Sequence, residues 1–96
     1  MSQQVTVTSN TQIQLKPLVE AAIRSEVRML ELGLERTRER LRLFEKRYHL
    51  SSTEFIRRFS TGESGESLDF IEWAGEAKTY ELVESQLRAL QEAQIS

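Results

Sequence analysis

Between Ile23 and Tyr48 the apolar positions form a regular ladder. Ile23, Val27, Leu30, Leu34, Thr37, Leu41, Phe44 and Tyr48 are separated by alternating steps of four and three residues. A mean period of 3.5 keeps one stripe of a helix turned toward a neighbouring helix, so the pattern predicts a helix over 17–49 with a contact seam. The periodicity leaves open whether the seam meets another segment of this chain or another chain. Pro17 stands where such a helix opens, because a first-turn proline loses no hydrogen bond by lacking its N–H. Gly33 is the weak point, about 1 kcal/mol less favourable than alanine. Met29, Leu32 and Leu43 lie off the seam and widen the apolar stripe, so the helix is expected to meet more than one neighbour.

Ser51-Ser52-Thr53-Glu54 reads as a capping box, with Ser51 capping a new helix and Glu54 reaching back to its N–H. Leu50 is placed to staple onto Phe55. Phe55, Ile56 and Phe59 make the apolar face of a short helix over 52–61. Thr61–Ser67 carries two glycines and reads as a loop. A last helix is expected over 67–94. Phe70, Trp73, Ala77, Tyr80, Val83, Leu87 and Leu90 share one face, and Asp69 and Glu72 favour its positively polarised start.

The first sixteen residues differ in kind. They alternate Val5 with Val7 and Ile13 with Leu15, which is strand periodicity, and Ser9-Asn10 is a candidate turn. A lone two-stranded hairpin is not stable in water. Residues 1–16 are therefore expected to be a strand, hairpin or flexible arm attached to a helical domain at 17–96. The fold expected is all-α: a long helical hairpin with a short helix at the bend and a short β-type N-terminal segment, as a dimer or higher helical bundle.

Composition sharpens this picture. The chain has 96 residues, 39% hydrophobic and 29% charged. A domain of this size buries a smaller fraction of its surface than a larger one, which favours self-association. Its net charge of −2 hides a balance of +4 over residues 1–58 and −6 over residues 59–96. The asymmetry suits head-to-tail self-association or separate partners for the two ends; solvated helix faces explain it equally well. No cysteine is present, which removes disulfides and thiolate metal sites and fits a cytoplasmic setting. No apolar run approaches a membrane span, so no membrane partner is expected.

Catalytic chemistry has little to stand on. His49 is the sole histidine, and its place at a helix end reads as a C-cap. There is no nucleophile–base set, phosphate-binding glycine loop or metal-ligand spacing, so neither enzymatic activity, a cofactor nor a metal is expected. Arg36, Arg38, Arg40, Arg42, Lys46 and Arg47 crowd three turns. A salt-laced helix flank explains them, with Glu35 serving Arg38 and Glu39 serving Arg42; contact with an acidic partner or with DNA explains them too. Phe44, Tyr48, Phe55, Phe59, Phe70, Trp73 and Tyr80 would meet as a core if the long helices fold back on each other.

The segment Phe44-Glu45-Lys46-Arg47-Tyr48, then Leu50 to Phe55, Phe59, Gly62-Glu63 and Asp69 to Trp73, resembles a group of short cyanobacterial and archaeal proteins encoded beside a small toxin. These are the antitoxin partners of TumE-type toxins, and the resemblance covers about residues 30–95. It implies a toxin-neutralising protein that also has the potential to repress its own operon, and it assigns no contact residues. The function expected is a non-enzymatic protein-binding module, with a homo-oligomeric coiled-coil scaffold or a nucleic-acid-binding regulator as alternatives.

Overall fold

The computed structural model describes residues 3–5 and 14–95, with side chains for 14–93. Three helices dominate: α1 at Leu15–Tyr48, α2 at Ser52–Ser60 and α3 at Leu68–Glu92. Two three-residue strands, β1 at Gln3–Val5 and β2 at Ala93–Ile95, pair in parallel, with Gln3 opposite Ala93 and Val5 opposite Ile95. The expected N-terminal strand thus pairs with the chain's own C-terminal end, and the last helix stops at Glu92. The turn expected at Ser9-Asn10 lies outside the described residues, and Leu15 is the first residue of α1.

The helix boundaries follow from local chemistry. Pro17 sits in the first turn of α1, where its missing donor costs nothing. At the other end His49 adopts a left-handed backbone, φ 51° and ψ 46°, and its N–H closes on the Glu45 carbonyl. The Leu50 N–H reaches the same carbonyl at 3.2 Å. This is the C-cap geometry that turns the chain out of the helix. Ser51 Oγ accepts from the Glu54 N–H at 3.1 Å, and Ser67 Oγ accepts from the Phe70 N–H at 3.2 Å. Between α2 and α3, Gly62 and Gly65 take φ of 81° and 78°, a region glycine enters without steric cost.

The capping box is only half formed. The Glu54 carboxylate does not turn back to the cap; it receives Arg57 and Arg58 from the next turn at 2.9 to 3.2 Å. Two guanidinium groups attract it more strongly than one backbone amide. The Ser52 N–H is taken instead by Glu45 Oε2, at 2.9 Å.

α1 and α3 run antiparallel. Arg38 meets Tyr80, Arg40 meets Glu76, Phe44 meets Trp73 and Arg47 meets Asp69, so numbers rise along one helix as they fall along the other. The result is a rod 59 Å long and 22 by 17 Å across. Its best-buried cluster sits at the bend, where Leu41, Phe44, Phe55 and Trp73 lose nearly all exposure. Leu50, Ile56, Phe59, Phe70, Ala74, Ala77 and Tyr80 pack around them. Leu50 therefore lies where the staple onto Phe55 was expected. Among the described residues every buried side-chain nitrogen or oxygen has a hydrogen-bond partner. No described helix is long and apolar enough to cross a membrane.

Gly75 lies exposed in the interior of α3, and a Cβ built there meets no atom within 4 Å. Gly75→Ala is therefore expected to stabilise the chain by about 0.5–1 kcal/mol, chiefly by restricting the unfolded backbone. Urea denaturation followed by circular dichroism measures it; an unchanged or lower midpoint would contradict this account.

Candidate protein-binding surface

The predicted seam forms along one unbroken face of α1. Thr37, Leu41 and Phe44 are buried, while Ile23, Val27, Leu30 and Leu34 are half-buried. Tyr48 keeps 37% of its surface exposed although its ring packs on both Phe70 and Trp73. Within this chain the seam is turned to α3, its best-buried residues lying at the bend. Thr37 is the buried polar member, and its hydroxyl donates to the Gly33 carbonyl one turn back, at 3.0 Å.

The aromatic residues converge as the sequence suggests. Trp73 stacks on Phe55 with ring centres 3.9 Å apart and on Phe44 at 5.6 Å. Phe55 also touches Phe59 and Phe70, both at 5.4 Å. Tyr80 stands at the edge of the cluster beneath the Arg38 guanidinium. The indole Nε1–H of Trp73 donates to Ser52 Oγ at 2.9 Å. Serine 52 is a residue that sequence reasoning treated only as part of a cap. Its second role follows from topology, which no local pattern encodes.

The basic stretch divides into different environments. Arg38 binds Glu35 at 3.2 Å and the Tyr80 hydroxyl at 3.0 Å. Arg40 crosses to Glu76 at 3.0 Å, and Arg47 crosses to Asp69 at 2.8 Å. Among the described residues Arg36 and Arg42 enter no ion pair, and the Glu39–Arg42 pair expected from spacing does not form. Three of the five arginines thus hold their own chain together, which is the salt-laced flank.

A groove of about 740 Å³ opens between the three helices. On α1 it is lined by Arg38, Leu41, Arg42 and Glu45, and on α3 by Ala74, Ala77, Lys78 and Glu81. Both sets are spaced i, i+3, i+4, i+7, one face of each helix. Ile56 and Phe59 of α2 wall one side, and Tyr80 completes the apolar floor. Its charged lining is mixed: Arg38, Arg42 and Lys78 stand beside Glu45, whose carboxylate is turned to the start of α2, and Glu81, which pairs with Lys78 at 3.9 Å. The sequence named Arg38, Arg42 and the aromatics but not this groove, since its walls come from three separated segments.

The chain matches no protein-family model, and comparison with curated proteins and with solved structures finds no match.

Two half-buried carboxylates are held in their charged form, Glu54 within α2 and Asp69 across to α1. Hydrogen bonds from Arg57 and then Arg58 pull Glu54 from an ordinary 4.5 down to about 2. The Tyr48 hydroxyl and then Arg47 lower Asp69, and the same Asp69 contact raises the Tyr48 phenol. A depressed carboxylate contributes stability that is complete above its unfolded pKa and is withdrawn as pH falls through the folded value. The thermal midpoint is therefore expected to decline between about pH 4.5 and about 2, the interval set by Glu54. Glu54→Gln should lower the midpoint at neutral pH and flatten that decline. Circular dichroism melts across this range check it, and a variant curve parallel to the wild type would assign the acid loss elsewhere.

Proposed function

We propose that this chain is a non-enzymatic protein-binding module that neutralises a small toxin by seating an amphipathic helix of that toxin in the groove between α1, α2 and α3. The observation that carries the reading is the groove itself. Leu41, Ala74, Ala77 and Tyr80 give it an apolar floor between two antiparallel helices, with Ile56 and Phe59 as one wall, the kind of surface on which an amphipathic helix lays its apolar face. Arg42 and Lys78 on the rim select a helix flanked by acidic residues. The toxin as partner rests on the resemblance carried by residues 30–95. The ties of Arg38, Arg40 and Arg47 to Tyr80, Glu76 and Asp69 favour a protein partner over nucleic acid, because those guanidinium groups are already engaged within the chain.

Co-expression with the product of the neighbouring gene tests the proposal. The two chains are expected to co-purify and growth arrest to be relieved. Arg42→Glu combined with Lys78→Glu should weaken the complex by about tenfold or more, since both residues are exposed rim cations. Helix content and Trp73 fluorescence should not change. Absence of a complex, or a complex indifferent to the double variant, would sink the groove reading.

A further inference from the structure

α1 carries a second heptad track that its own hairpin does not cover. Leu18, Met29, Leu32 and Leu43 are 58%, 64%, 65% and 65% exposed. They fall on the seam's four–three rhythm displaced by five residues, roughly 140° around the helix from the side turned to α3. This side of α1 is also distinct from the one that lines the groove.

The spacing of the track is palindromic. Leu18 and Met29 stand eleven residues apart, and so do Leu32 and Leu43. We propose that a second copy of this chain docks along this track, α1 against α1 in antiparallel orientation, about a two-fold axis between residues 30 and 31. Leu18 then lies level with Leu43 of the second copy, and Met29 with Leu32. An isologous contact requires such self-complementarity, which the chain carries in its own numbering.

Size and charge select the same register. The track's two long charged residues, Arg36 and Glu39, fall level with its two smallest, Ser25 and Ala22. On the flanks Arg28 approaches Glu35 of the second copy, Arg24 approaches Glu39, and Glu26 approaches Arg36, each twice by symmetry. Parallel pairing would instead set Arg36 against Arg36 and Glu39 against Glu39. Like charges directly opposed disfavour that arrangement. The proposal is independent of the toxin reading, because it concerns a different side of α1 and needs no other protein.

Sedimentation equilibrium of the full chain tests it. The expected mass is twice the 11.1 kDa of one chain. Leu32→Glu should yield the single-chain mass with unchanged helix content, since Leu32 is exposed within one copy. Arg28→Glu should weaken association by about tenfold or more, and adding Glu35→Arg should restore it by recreating the pair with reversed signs. A wild-type chain of single mass at about 0.1 mM overturns the proposal. So does a Leu32→Glu chain that keeps the double mass, or a charge swap that fails to recover association. Single-chain mass accompanied by normal toxin capture would separate this failure from failure of the proposed function.

Discussion

Burying Trp73 completely demands rings from two other segments and an acceptor for its indole N–H. Phe44 from α1 and Phe55 from α2 supply parallel ring faces, and Ser52 supplies the acceptor. An indole N–H sealed away without that hydroxyl would cost about 1–3 kcal/mol. This requirement explains the short α2, which is too brief to be stable as an isolated helix. It persists because it brings a ring and a hydroxyl to a residue of α3 while capped on Ser51. The order of events in sequence follows: His49 turns the chain, Leu50 packs beneath the cluster, Ser51 restarts the helix and Phe55 meets the indole.

Away from this knot the packing thins. Leu87 is buried, but Ile23, Val27, Leu30 and Leu34 on the facing helix are only half covered. Nearer the bend, charge holds the register of the two long helices more than it holds the fold. Arg40–Glu76 and Arg47–Asp69 are partly exposed pairs of the kind that contribute little stability each. They do reward one alignment of a basic helix with an acidic one, which an apolar seam of uniform period does not specify. The opposite charge of the two halves of the chain is thus used first within the molecule.

The heptad ladder, the Ser51 cap and the aromatic spacing made the three helices and their meeting point legible, because each depends on neighbours within a few turns. The seam's partner was not legible. A 3.5-residue period states that a helix is covered and is silent about which chain covers it; Phe44 against Trp73 decides for α3 along the buried end. The Glu54 carboxylate misled for a related reason, since the box pattern does not count competing cations, and Arg57 and Arg58 stand within one turn. The pairing of Gln3–Val5 with Ala93–Ile95 joins the two ends of the chain, a separation that periodicity carries no information about. The groove escaped for the same cause: Leu41, Ile56 and Ala77 become neighbours only after the hairpin closes.

Two tracks on one helix raise a question of economy. A helix that served only the hairpin would need an apolar stripe on the α3 side and polar residues elsewhere, as solvated helix backs ordinarily show. α1 instead sets Met29, Leu32 and Leu43 in water. Scattered exposed leucines need no explanation, but these recur with the seam's own rhythm and interleave with charges that oppose one another when the sequence is read against itself. The same arginine-rich end that meets α3 carries Arg36 on the back of the helix, where among the described residues no carboxylate answers it. The proposed second copy, reversed end for end, would bring Glu26 to that position. The irregular mixture of leucine and arginine along α1 then becomes intelligible as the superposition of two regular patterns, each written for a different side.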